Sequence, residues 1–263
     1  MHHSASRFTT VCPLVNGCPI HTRVSTEASA GAELPLVMVH GLGVSARYMM
    51  PTAEHLATYY RVIVPDLPGF GDSGKPSHIL NVPELADRLV DWMPHIGLTR
   101  ANFLGNSLGC QIIVDMAVRY PQLVESAVLV GPTVDSRDRT MLGQLWRGFR
   151  DLCREPWSLW PILFHDYLVT GTRRMYRTFK YALQDPIENK LPMMQTPTLV
   201  VRGSRDTIVP QPWAEEMTRR LPNGRLVVIS GGTHASNYSA PIELAAVVSE
   251  FLTTIALKRN SPL

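Results

Sequence analysis

The sequence predicts an α/β protein: a mostly parallel sheet of eight strands, helices on both faces, and a helical segment inserted before the last strands. Three observations carry this expectation. Six short apolar runs are separated by stretches with apolar residues at helical spacing, an antiparallel hairpin opens the chain, and 59 consecutive residues contain no strand-like run.

In chain order, VCPLVNGCPIHTRVS (11–25) reads as the hairpin, because Asn16-Gly17 supplies the two positive-φ positions of a type I′ turn. LPLVMVH (34–40) is apolar throughout and ends in a glycine-rich turn, as a strand buried on both faces does. RVIVPD (61–66), ANFLGN (101–106), ESAVLVG (125–131), TLVVRG (198–203) and RLVVIS (225–230) repeat the pattern. Between them, PELADRLVDWMPHIG and LGCQIIVDMAVRYP place apolar residues three and four apart, which predicts one buried face per helix. Residues 134–192 break the alternation and read as three or four helices interrupted at Pro156, Gly171 and Pro186. The expected organisation is a core of 1–133 and 193–263 with a helical lid at 134–192.

Composition narrows the function classes. The 263 residues are 45% hydrophobic, enough to bury a sizeable core, and 25 Lys and Arg against 22 Asp and Glu leave only +3. That balance forces no concentrated basic surface, so no nucleic-acid partner is expected. No apolar run approaches the roughly 18 residues of a membrane span. The opening MHHSASRFTT has no apolar secretion segment, which predicts a cytoplasmic protein; His2 and His3 read as a solvated terminus or an expression scar rather than a metal pair. Cys12, Cys18, Cys110 and Cys153 have neither zinc-site spacing nor disulfide-scaffold density. They read as reduced thiols, Cys12 and Cys18 included, because the hairpin register does not set those two sulfurs opposite each other.

The chemistry concentrates in three loops that follow strands. GNSLG (105–109) falls where an apolar strand turns into a helix; its glycines permit a sharp turn that raises the Ser107 hydroxyl above the sheet. A serine needs a base, and the base needs an acid to hold its tautomer. Asp206 follows the strand TLVVRG and His234 follows the next one, in GGTH. Loops at the carboxyl ends of parallel strands share one sheet edge, so the three can meet there, and their order Ser, Asp, His matches one of the known triad orders.

With these motifs in place, the chain resembles the α/β-hydrolase superfamily over nearly its whole length. HGLG (40–43) resembles the family's oxyanion loop, DLPGFGDS (66–73) the loop after the following strand, GNSLG the nucleophile elbow, and GSRDTIVP and GGTH the acid and histidine loops. The resemblance implies an α/β-hydrolase fold, with Ser107 as nucleophile, His234 as base and Asp206 as acid. It also implies an oxyanion hole made by the backbone N–H groups of Leu42 and Leu108, and a cap formed by the insert. The implied activity is that of a cofactor-free, metal-free serine hydrolase acting on a small-molecule ester; monomer and homodimer both stay open. Cys110 departs from the pattern where relatives often carry glycine, and is expected to pack under the elbow.

Competing readings stand beside these. Asp135 is the alternative acid, His40 reads as a structural residue of the oxyanion turn, and Asp66 and Asp72 as organisers of their loop. G-x-G-x-x-A at 41–46, with Asp66 ending the next strand, also matches a dinucleotide fingerprint, but the preceding hairpin and the ordered triad residues oppose it. Within the fold, carbon–carbon bond hydrolysis or lyase-like chemistry is the rival, and a low-turnover ligand receptor is the rival from another class. Finally, residues 134–192 hold nine of the chain's twenty aromatics in 22% of its length. Trp146, Trp157, Trp160 and Phe164 are the first expected to line an apolar substrate pocket over Ser107.

Overall fold

A computed structural model describes residues 7–26 and 34–260; His2 and His3 lie outside that range. The chain runs β1 (Phe8–Val11), β2 (Leu14–Val15), β3 (Cys18–Pro19), β4 (Thr22–Ser25), β5 (Leu36–Val39), α1 (Ala46–Leu56), β6 (Val62–Pro65), α2 (Val82–Trp92), β7 (Ala101–Asn106), α3 (Leu108–Arg119) and β8 (Val124–Val130). The inserted helices follow: α4 (Met141–Leu152), α5 (Trp160–Thr170), α6 (Thr172–Gln184) and the short α7 (Ile187–Lys190). The chain returns through β9 (Thr198–Gly203), α8 (Gln211–Arg220), β10 (Gly224–Ile229), α9 (Ser236–Ser239) and α10 (Pro241–Asn260).

Eight strands form one sheet in the order β1-β4-β6-β5-β7-β8-β9-β10; only the β1–β4 and β4–β6 pairs are antiparallel. The opening hairpin is more divided than its sequence suggests. Asn16 and Gly17 take φ of 48° and 76°, as the type I′ turn requires, and Val15 faces Cys18 across it. Pro13 and Pro19 cannot donate to a ladder, so β2 and β3 form a separate two-stranded unit while β1 and β4 continue into the main sheet. Cys12, Cys18, Cys110 and Cys153 are all free thiols.

The central strands read as unbroken apolar runs because both of their faces are covered. Along β5, Val37 and Val39 pack with Trp92, Phe103, Ile113 and Trp213 on the side of α2, α3 and α8. Leu36 and Met38 pack with Leu104, Val128, Leu244 and Phe251 on the side of α1 and α10. Burying apolar area is worth about 25 cal/mol per Å², and these two layers hold the strand ends that carry the site. Among the described residues no helix is long and apolar enough to cross a membrane.

Candidate active site

Ser107 stands between β7 and α3 with φ 53° and ψ −115°, a left-handed conformation that an L side chain adopts only under strain. Two close approaches hold it there. A Cβ at Gly105 would lie 2.6 Å from the backbone carbon of Gly109, and a Cβ at Gly109 would collide with the Val39 carbonyl oxygen. Glycine at both positions therefore lets β5, β7 and α3 converge beneath the serine. Buried Cys110 packs under this turn, its thiol 3.2 Å from the Gly105 carbonyl oxygen and 3.4 Å from that of Val130; burial pushes the thiol pKa well up, as expected of an inert packing group.

His234 and Asp206 arrive from the ends of β10 and β9. The His234 Nδ1–H donates to Asp206 Oδ2 at 3.0 Å, and the other carboxylate oxygen accepts the N–H groups of Ile208 (2.8 Å) and Val209 (2.9 Å). With Nδ1 committed to Asp206, Nε2 is the nitrogen left for proton transfer. Gly131, at φ 54°, follows β8 directly beside the pair: a Cβ there would come within 2.9 Å of Nδ1. Burial disfavours the imidazolium, yet the charge and hydrogen bond of Asp206, helped by Asp151 and Glu155, lift the His234 pKa to about 9.

Ser107 and His234 open into one cavity of about 740 Å³. Ser107 Oγ lies 3.4 Å from Thr133 Oγ1, so its hydroxyl is turned toward the segment after β8 rather than hydrogen-bonded to His234. The backbone N–H groups of Leu42 and Leu108 have no acceptor among the described residues, and both residues line the same cavity. Leu108 is the first residue of α3, whose N–H groups lack intrahelical partners and carry the positive end of the helix dipole.

The loops around the site are tied down by buried side chains. His40 Nε2 accepts the Leu67 N–H at 2.9 Å while its Nδ1–H donates to the Gly41 carbonyl at 2.8 Å. Burial lowers its pKa, so it is a neutral strut of the turn that carries Leu42. Asp66 accepts the N–H groups of Ala46 (2.6 Å) and Asp72 (2.9 Å), and His21 Nδ1 lies 3.1 Å away; this occupies the carboxylate that a dinucleotide reading would reserve for a ribose. Asp72 pairs instead with Arg47 at 3.0 Å. Asp135, the alternative acid, is engaged elsewhere: it accepts the Arg137 N–H at 3.0 Å and pairs with Arg147 at 3.3 Å.

Two groups that sequence reasoning missed stand close to the centre. Asn106 donates to the carbonyls of Val130 and His234 at 3.2 and 3.1 Å and accepts the Tyr48 hydroxyl at 3.1 Å, which ties the elbow to the histidine loop. Glu155, from the insert, accepts the Thr233 hydroxyl (2.8 Å) and the Ala235 N–H (3.0 Å), the residues flanking His234. Burial and the adjacent Asp151 carboxyl push the Glu155 pKa up to about 7. Only the position of Asn106 inside GNSLG marked it in the sequence; nothing local marked Glu155.

The four aromatics expected in the pocket are not there. Trp146, Trp157, Trp160 and Phe164 are 61%, 83%, 39% and 69% exposed, and none lines the cavity. Trp157 stacks on Trp160 outside it, and Trp146 stacks on the outer side of Phe149. The reason is helical phase. On α4 the inward stripe is Met141, Leu145, Gly148 and Leu152, which leaves Trp146 about 100° off. On α5 the inward residues are Leu163 and Tyr167, with Leu159 just before the helix, so Trp160 and Phe164 share the outer stripe. The aromatics that line the cavity are Phe149, Tyr167, Tyr176 and Phe179, together with Tyr48 from α1.

A serine raised on a strained strand-to-helix turn over a doubly covered, mostly parallel sheet defines the class of α/β hydrolases. The chain belongs to the alpha/beta hydrolase family, whose model matches residues 36–247. Two relatives show the range of names within reach. The "Putative carbamate hydrolase RutD" of Yersinia enterocolitica is 26% identical over 250 residues, covering 86% of this chain and 90% of its own. The pimeloyl-acyl-carrier-protein methyl ester esterase of Vibrio campbellii is 27% identical over 237 residues, covering 79% and 90%. The crystal structure of a membrane phospholipase A superposes with a TM-score of 0.81 at 24% identity, covering 97% of this chain and 88% of that one, a likeness of fold alone.

Proposed function

We propose that the chain hydrolyses a small carboxylic ester with an apolar or aromatic acyl group, through a covalent acyl-serine intermediate. One observation carries the reading: Ser107, a histidine held by an acid, and two unpartnered backbone N–H groups all face one cavity whose walls are mostly apolar. Ser107 Oγ turns from Thr133, gives its proton to His234 Nε2 and attacks the carbonyl carbon. The oxyanion is stabilised by the N–H groups of Leu42 and Leu108. The imidazolium returns the proton to the departing alcohol, and a water activated by His234 then releases the acid. Asp206 fixes the tautomer and offsets the imidazolium charge. No step calls on a cofactor. Relatives named for carbamate and methyl ester hydrolysis support the same acyl transfer to water.

In this reading residues 134–192 are a cap on a core of 1–133 and 193–263. Their inner stripes form the roof of the cavity and exclude water from the oxyanion site, where hydrogen bonds strengthen as the dielectric falls. A panel of p-nitrophenyl esters of graded acyl length tests the assignment. Each added methylene buried against the roof is worth about 0.8 kcal/mol at best, so kcat/KM rises by one to two orders of magnitude over about three or four carbons before levelling off. Phe179→Ala flattens that rise, whereas Trp157→Ala, on the outer stripe, leaves it unchanged. A flat acyl profile in the parent protein, or no ester turnover at all, overturns the substrate class.

A further inference from the structure

A second concavity, of about 690 Å³, lies on the far side of α6 from the catalytic cavity and differs from it chemically. The two faces of this helix divide the work: Met175, Tyr176 and Phe179 face the catalytic cavity, while Arg173, Arg174 and Arg177 face the groove. Thr172, at the start of α6, lines both.

The groove is rich in cations that lack counter-ions. Arg173, Arg174 and Arg177 have no hydrogen-bond or ion-pair partner among the described residues. Arg174 is partly buried, its guanidinium packed against Gly69, and the desolvation cost of such an unpaired charge is offset when a counter-ion binds. The one carboxylate in the wall, Glu84, is already engaged by the Asn81 N–H at 2.8 Å and by His78 at 3.2 Å. Lys75 spends one proton on the Val169 carbonyl at 2.7 Å and keeps the others for a ligand. Two further features point the same way. The 13-residue α6 opens at Gly171 with no side-chain cap and no acid in its first turn, so its first N–H groups present the positive end of the dipole. The Thr170 hydroxyl, in a residue only 4% exposed in the groove wall, has no hydrogen-bond partner among the described residues.

We infer that this groove is a binding site for a phosphate-type anion, held by the guanidinium groups of Arg173, Arg174 and Arg177, by Lys75 and by the first turn of α6. Guanidinium forks, a helix N-terminus and a hydroxyl match the several acceptor oxygens of a tetrahedral dianion better than a single carboxylate. The binding itself does not depend on the hydrolytic reading, and its test involves no turnover.

Titrating the full chain with inorganic pyrophosphate at low ionic strength, followed by calorimetry, decides the matter. The expected result is saturable binding that fades with added salt and that weakens by at least about tenfold in the Arg173→Gln/Arg177→Gln double variant. Both arginines are exposed, so their loss spares the fold, and an unchanged melting temperature verifies this. Arg219→Gln, which removes an exposed positive charge from α8, leaves the affinity unaltered. No saturable binding in the parent, undiminished binding in the double variant, or equal weakening by Arg219→Gln overturns the site.

Discussion

Under the proposed mechanism, replacing Ser107 by Ala is expected to lower ester turnover by about 10⁶-fold while leaving the melting temperature essentially unchanged, because removal of the nucleophile eliminates the acyl-enzyme route. The stability half of this expectation follows from the backbone. At φ 53° the strain comes from the Cβ, which alanine retains, so the variant keeps both the tight turn and its cost. Ser107→Gly provides the complementary reading: it is equally inactive, but releases strain of roughly 1 kcal/mol or more and melts higher. Turnover near the parent level in Ser107→Ala removes Ser107 from the chemistry.

Asp206→Asn costs on the order of 10⁴ in kcat and moves the acid limb of the remaining activity to lower pH. The sign follows from His234. Its pKa is lifted to about 9 chiefly by the Asp206 charge and hydrogen bond working against burial, and the general base must be neutral, so parent activity climbs as the pH rises from neutral toward 9. Without the carboxylate, burial prevails, the pKa falls and the limb shifts down even as the rate collapses. Glu155→Gln removes a more distant negative charge and therefore moves the limb the same way by a smaller amount, with a modest loss of rate. A pH profile of kcat/KM for the three proteins checks both effects. If Asp135→Asn is the more damaging change, the acid is misassigned.

The strands, the strained elbow and the order of the loops were legible in the sequence because their causes are local. A strand covered on both faces must be apolar throughout, and a serine on a sharp turn must be flanked by residues without a Cβ, as Gly105 and Gly109 show. The pairing of Asp206 with His234 was legible for a similar reason: Asp206 sits three residues beyond the end of its strand, where the shared sheet edge brings it to His234. The inner face of the insert was not legible. α5 carries apolar side chains all round, so periodicity alone does not distinguish the Leu163–Tyr167 stripe from the Trp160–Phe164 stripe, and large aromatics drew attention to the wrong one. Glu155 was hidden because its partners, Thr233 and Ala235, lie 78 and 80 residues away. The basic groove was hidden as well, since a net charge of +3 does not reveal which arginines find carboxylates. Arg139 and Arg147 are paired, whereas Arg173, Arg174 and Arg177, close behind in the chain, have no partner among the described residues.

If Ser107 is a nucleophile activated by His234, covalent labelling detects it. Incubation of the intact protein with a fluorophosphonate, followed by mass spectrometry and peptide mapping, is expected to give one adduct per chain, on Ser107, formed faster as the pH rises toward 9 and lost in the His234→Ala variant. Absence of an adduct, or an adduct on another residue while ester turnover persists, rules out Ser107 as the activated nucleophile.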